Sequence, residues 1–410
     1  MTKPALQIRV VSKIADISAA DWDACANPPA KPESEGGDHE TSETPYNPFI
    51  LHAFLSALEE SGSATARTGW APQHLAAEAD DGRIVGVVPA YLKSHSQGEY
   101  VFDRGWAEAF ERAGGSYYPK LQVSVPFTPA TGRRLLALPG KGSDEVRRGL
   151  LQGLNELGDV REASSVHMTF MPKDEWTLAA KQGFLQRTDQ QFHWINNGYA
   201  TFDNFLGELA SRKRKLIKRE RREAVANGIE IVCLTGKDIT EDAWDAFFAF
   251  YMDTGSRKWG RPYLTRSFYS LIGERMPQDI LLVMAKRNGR YIAGAINFIG
   301  SDTLYGRHWG AIEHHPFLHF EVCYYQAIQY AIEHKLGRVE AGAQGEHKLA
   351  RGYLPQTTYS AHYIANEGFR RAVADYLKRE RQYVAAAGEE LSELSPFRKN
   401  LAGEEAELDI

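Results

Sequence analysis

The chain repeats itself. Ile17-Ser-Ala-Ala-Asp-Trp22-Asp-Ala in the first half matches Ile239-Thr-Glu-Asp-Ala-Trp244-Asp-Ala in the second. Pro45-Tyr46 matches Pro262-Tyr263, and Asp81-Gly-Arg-Ile-Val-Gly86 matches Asn288-Gly-Arg-Tyr-Ile-Ala-Gly294. Gly183-Phe-Leu-Gln-Arg-Thr188 with His193-Trp-Ile-Asn-Asn197 matches Gly352-Tyr-Leu-Pro-Gln-Thr357 with His362-Tyr-Ile-Ala-Asn366, at one constant offset. Four matches in the same order point to duplication, so one architecture must be built twice.

Each half reads as mixed α+β. Asp81-Gly82 and Asn288-Gly289 are two-residue turns of the kind that need positive φ. Apolar runs flank them, Leu75–Glu78 with Ile84–Tyr91 and Ile280–Lys286 with Tyr291–Ile299. A third strand is expected from Asp302 to Trp309. An amphipathic helix follows from Glu321, ended by Leu336-Gly337, with Asp144–Leu157 as its counterpart. The expected order in each half is helix, antiparallel strands, helix, strand, short helix, strand. The division is 1–200 and 201–387, then an acidic flexible tail, 388–410. The first half carries two loop insertions, a polar, loose one at 31–43 and an aromatic, polar one at 93–129.

With 410 residues and 43% hydrophobic content the chain can bury large cores. A net charge of -5 gives no global pull toward nucleic acid or membrane. Cys25, Cys233 and Cys323 lie far apart and read as reduced cysteines. No apolar leader opens the chain and no apolar run is long enough to span a bilayer. A cytoplasmic protein is the expectation.

Chemistry concentrates where the copies diverge. Glu346, His347, Lys348 and Arg351 fall at the repeat offset on Thr177, Leu178, Ala179 and Gln182. The second copy therefore has a charged cluster where the first has bland residues, beside glycines that admit close backbone approach (Gly342, Gly345). Either Glu346 or His347 can serve as general base toward an amine or hydroxyl. Lys348 and Arg351 can hold an anion, and Gln344 can orient a carbonyl. The ordinary alternative is a solvated short helix. A second cluster, around Arg307, the histidines His314, His315 and His319, and the helix opening at Glu321 and Tyr324, forms a candidate pocket wall. Its histidine spacing fits no zinc motif, so no metal is expected. A third, His95, Glu99, Tyr118 and Lys120, reads either as a recognition loop or as a loop packing its own aromatics. The fourth, from Arg212 to Arg222, holds eight basic residues and one acid. Lys215, Arg219 and Arg222 there can bind phosphates; a solvated helix face is the commoner fate of such a run.

The segments His95-Ser-Gln-Gly-Glu-Tyr-Val-Phe-Asp103, Tyr117-Tyr-Pro-Lys120, Pro126-Phe-Thr-Pro129, Phe320-Glu-Val-Cys-Tyr-Tyr325 and Gly342-Ala-Gln-Gly-Glu-His-Lys348 with Arg351-Gly352 resemble a bacterial family of peptidoglycan biosynthesis/recognition proteins. That family is grouped with Fem-like and other GNAT-superfamily acyltransferases. The resemblance implies two tandem GNAT-like domains, each a mainly antiparallel twisted sheet flanked by helices. It implies N-acyl or aminoacyl transfer to a small-molecule or peptide amine, from an acyl-CoA such as acetyl-CoA. Aminoacyl-tRNA is the less favoured donor. The usual GNAT pyrophosphate-loop pattern is not present between Trp309 and Phe320. A non-catalytic GNAT-like module that recognises a cell-wall or other polar ligand is the alternative.

Overall fold

The computed structural model describes residues 6–29, 44–258, 262–342 and 345–398. The first half runs β1 (Gln7–Val11), α1 (Ala19–Ala26), α2 (His52–Glu60), β2 (Trp70–Pro72), β3 (His74–Glu78), β4 (Ile84–Val88), β5 (Ala90–Lys93), α3 (Arg104–Arg112), β6 (Lys120–Val123), β7 (Leu136–Ala137), α4 (Ser143–Val160), β8 (Ser165–Met171), α5 (Lys173–Lys181) and β9 (Leu185–Ile195). The second runs α6 (Phe202–Glu208), α7 (Ser211–Ala224), β10 (Ile229–Thr235), α8 (Glu241–Lys258), α9 (Arg266–Arg275), β11 (Ile280–Arg287), β12 (Arg290–Ile299), β13 (Thr303–Ala311) and α10 (Leu318–Phe320). A π-turn (Glu321–Tyr325), α11 (Gln326–Glu333), β14 (Arg338–Glu340), a 3-10 segment (Glu346–Arg351), β15 (Leu354–Ile364) and α12 (Glu367–Glu393) complete it. Strands β1 and β10, ahead of the repeat-related helices α1 and α8, are additions to the expected order.

The hairpins differ in their turns. Asn288 and Gly289 both have positive φ, as a two-residue turn requires. In the first half only Gly82 does. There Asp81 accepts the Arg83 N–H at 3.1 Å, and the turn widens to Ala79–Arg83. Pro89, which has no N–H, breaks the expected strand Ile84–Tyr91 into β4 and β5. The first half's sheet therefore divides. β1-β3-β4-β7 forms a separate four-stranded sheet, while β5 and β2 join the large one.

That large sheet has eleven strands in the order β10-β11-β12-β13-β14-β9-β15-β8-β6-β5-β2. It reads nearly as a palindrome about β9 and β15. β14 pairs with β9, not with its own half's β15 (Glu340↔His193), and β15 pairs with β8 (His362↔His167). Each half thus lends its last strand to the other, and β9 and β15 pair along Leu354↔His193 to His362↔Leu185. The division at residue 200 separates two repeats but not two sheets. One hydrophobic core also crosses it: Phe49 packs 4.9 Å from Phe298 and Phe54 packs 5.6 Å from Phe268. Repeat-related Trp22 and Trp244 are both buried there. Burying each such aromatic stabilises by about 2–3 kcal/mol.

Two expectations need correction. Residues 388–393, assigned to a loose acidic tail, continue α12, because the helix stays attached to the sheet: Gln190 donates to the Val384 carbonyl at 3.0 Å. The segment 93–129 contains regular structure, α3 and β6. Most of the expected loop 31–43 lies outside the described residues. No helix is long and apolar enough to cross a membrane among the described residues.

Candidate functional site

β13 and β14 run parallel for three rungs, Thr303↔Arg338, Leu304↔Val339 and Tyr305↔Glu340, and then part. β13 continues along β12 with a bulge: the rungs Ala295↔Trp309 and Asn297↔Gly306 leave Arg307 and His308 both facing Ile296. β14 ends at Glu340, and half-buried Ala341 and Gly342 follow. A V-shaped opening in the sheet results. In the first half the parallel pair is β6 and β8, and Trp106 and Tyr117 pack against His167 of β8. The chain leaves β6 into the segment 124–135, which reaches across to the second half before β7 resumes. Arg307 donates to the Phe127 carbonyl, Gln191 to that of Pro129 at 2.8 Å, and Phe127 stacks on Tyr263 at 4.8 Å.

On one side of the V lies a cleft of about 680 Å³ whose wall includes Trp309, Phe317, His319 and Phe320. The 3-10 segment lies behind this wall, the His347 ring 5.9 Å from that of Phe320. Tyr324 Oη lies 2.9 Å from His347 Nε2, and burial pushes the Tyr324 phenol up. Lys348, buried, donates to the Gly342 carbonyl at 3.0 Å, and burial brings its ammonium down to about 8. Arg351 is engaged on three sides. It caps the His347 carbonyl at 2.7 Å, forks onto Glu220 at 2.9 and 3.0 Å, and lies 3.4 Å over the Phe320 ring. Tyr325 donates to the same Glu220. Arg351, expected to hold a ligand anion, instead ties the 3-10 segment to α7. Glu321, expected in the pocket wall, is buried, with its carboxylate held by Arg221 at 2.9 Å and Gln326 at 2.7 Å. Gln344 and the Glu346 side chain lie outside the described residues.

Helix α7 borders the cleft. Its buried positions are Ile217, Glu220 and Ala224, so Lys215, Arg219 and Arg222 share an exposed face. Arg219 approaches Phe317 of the cleft at 5.9 Å. Lys215 and Arg222 have no ion pair among the described residues. Phe317 holds a left-handed φ of 61°, a strained conformation for a bulky residue at the lip of the pocket. His315 pairs with Glu313 at 2.9 Å. No set of three His, Cys, Asp or Glu is placed to hold a metal among the described residues.

On the other side of the V, between the halves, Glu340 Oε1 lies 4.0 Å from His193 Nδ1. Burial brings both toward neutrality, Glu340 up to about 7 and His193 down to about 3. Arg307 sits on this side too; burial lowers its pKa.

The third cluster of the sequence does assemble, but inside the first half. Lys120 donates to Glu99 at 2.7 Å, to Ser96 at 2.8 Å and to Asp103. Ser96 meets the Tyr118 hydroxyl at 2.8 Å. Lys93 lies 3.5 Å over Trp70, and burial brings it down to about 7. His95 stands apart, bonded to the Thr68 carbonyl at 3.1 Å. Lys120, Glu99 and Asp103 are closed from solvent, which is how a loop anchored by its own ion pairs looks.

Sequence reasoning assigned no role to Glu220, Glu340 or His193. Glu220 had a signal, being the one acid in a basic run at helical spacing from Ile217 and Ala224. The pairing of Glu340 with His193 had none, because it arises only from the strand exchange.

No curated protein matches the sequence. Among solved structures, FemX is 13% identical with a TM-score of 0.51, the alignment covering 87% of this chain and 98% of that chain. A tandem GNAT protein from the clavulanic acid biosynthesis pathway is 13% identical over 88% of this chain and 99% of that one, TM-score 0.44. A conserved protein of unknown function from Bacteroides thetaiotaomicron is 12% identical over 88% and 100%, TM-score 0.49. The fold is thus mixed α+β, two GNAT-like halves in tandem. The FemAB-like family model, described as peptidoglycan biosynthesis/recognition, matches residues 13–399, and the chain belongs to that family.

Proposed function

We propose that the protein is an N-acyltransferase that moves an acyl or aminoacyl group onto the amine of a peptidoglycan-related precursor. The observation that carries this reading is the V between β13 and β14, flanked by the aromatic cleft on one side and an inter-half polar layer on the other. A donor lying in the cleft reaches the acceptor through the sheet, in the manner that holds two reactants in line. Trp309 and Phe320 suit a flat ring, and the exposed face of α7 suits phosphates, so the donor is a nucleotide-bearing ester or thioester, acyl-CoA or aminoacyl-tRNA. Tyr324 and His347, on the donor side, face the leaving group. Lys348, lowered to about 8 and so still mostly charged at pH 7, adds positive charge beside the developing oxyanion. The bound state of Arg351 favours a second reading, a binding module for a cell-wall ligand without turnover.

Acetyl-CoA and an aminoacyl-tRNA, each incubated with a peptide bearing a free lysine amine, test the two by mass spectrometry of the peptide. Acylation that falls at least tenfold in His347→Ala, with folding intact, supports the transferase. Saturable binding of the peptide without acylation from either donor supports the module.

A further inference from the structure

We propose that Glu340 is the group that takes the proton from the attacking amine, and that the acceptor enters from the inter-half side of the sheet. The assignment rests on the acyl-transfer reading. Glu340 stands on the last rung before β13 and β14 part, opposite Tyr305. The next residue of β13 is Gly306, where an added Cβ would lie 3.3 Å from Asn297 Oδ1 and 3.4 Å from the Glu340 carbonyl. Bare backbone at Gly306 thus lets β13 pack closely against the main chain of Glu340, which a side chain there would press out of place.

Glu340 is only 5% exposed, yet its Oε2 has no hydrogen-bond partner among the described residues. An orphaned buried acceptor calls for an explanation, and a donor supplied by an incoming amine provides one. The backbone of Thr131 faces it, and His193 stands 4.0 Å away. The charged and titratable groups facing it are Tyr305 and Arg307 on β13, Arg338 on its own strand, Arg134 from the first half's segment 124–135, and His193 on β9. Desolvation outweighs the arginines and leaves the carboxyl near 7, where a base both takes and releases a proton readily.

The step balances. One N–H proton passes to the Glu340 carboxylate as the C–N bond forms, and the C–S or C–O bond to the donor breaks. The leaving sulfur or oxygen takes a proton from solvent on the His347 side. Solvent then removes the proton from Glu340.

Two measurements test it. The wild-type protein is treated with dicyclohexylcarbodiimide at pH 7, which modifies protonated, reachable carboxyls, and the modified peptides are mapped. Modification at Glu340 is expected; none there, with other carboxyls modified, overturns the assignment alone. Acyl transfer is then followed against pH. Glu340→Gln should lower kcat about 100-fold or more with the donor KM unchanged. It should also abolish the rise in rate through about 7, and Glu340→Asp should restore part of it. A Glu340→Gln variant with wild-type kcat and pH profile overturns the assignment while acyl transfer stands. No transfer by the wild-type protein from either donor overturns the acyl-transfer reading, and the assignment with it.

Discussion

The two halves place different residues at one structural position. In the second, Glu340 pairs across the exchanged strand with His193; in the first, His167 occupies the matching rung opposite His362, their Nδ1 atoms 2.7 Å apart. His193 and His362 are themselves related by the repeat. Around His167 the space is filled. Trp106 of α3 lies 6.3 Å from its ring and 5.0 Å from that of His362, and Tyr117 links the pair to the Lys120 cluster. Around Glu340 the strands part. Duplication gave two equal frames, and the insertion at 93–129 supplies the Trp106 and Tyr117 that pack one of them.

The comparison can be broken most forcefully at its two buried ion clusters. Glu220→Ala leaves Arg351 without its carboxylate, and Lys120→Met leaves Glu99 and Asp103 without their ammonium. Each should lose roughly 3–5 kcal/mol in denaturant unfolding, since removing one member strands a buried charge. Only Glu220→Ala should also loosen the segment holding His347. Equal losses of ligand binding in both variants would refute the division of roles.

A pH series on the matched rung should give effects of opposite sign. Glu340 is raised from an ordinary 4.5 to about 7, so the folded state holds its proton longer and stability is lost as pH rises through that window. By linkage Glu340→Gln should gain about 3 kcal/mol relative to wild type above pH 7, and nothing below 4.5. His167 is lowered from 6.5 to about 3, so the unfolded chain binds the proton first and stability is lost as pH falls from 6.5 toward 3. His167→Asn should flatten that acid limb. Thermal unfolding between pH 3 and 9 reads both; limbs of the same sign would show that the two positions are not alike in environment.

The smallest stability effect belongs to the exposed face of α7. Lys215→Ala, Arg219→Ala and Arg222→Ala should each change stability by less than about 0.5 kcal/mol. If this face holds donor phosphates, each should lower the slope of log affinity against log salt by about one for tRNA. An unchanged slope in all three would remove α7 from the donor site.

Much of this was open to a reader of the sequence. Asn288-Gly289 set a hairpin because few residues accept two successive positive φ angles. The run after Glu340 stood out because its counterpart at Thr177–Gln182 is bland. What the polar residues do there was less open. Arg351 and Glu321 look like ligand-holding groups in one dimension, and in the fold each is matched by a partner a hundred residues or more away, Glu220 and Arg221. Glu99 and Lys120, grouped as candidate substrate contacts, are packed against each other.

The sequence by itself determined the repeat, the hairpins and the amphipathic helices, because turn chemistry and side-chain periodicity act over a few residues. The tertiary structure decided that β9 and β15 cross to the opposite half, that Glu340 faces His193, and that the V stays open in one half and is filled in the other. Ladder partners and desolvation depend on chain segments far apart in sequence, and no local pattern encodes which of two similar strands will be neighbour to which.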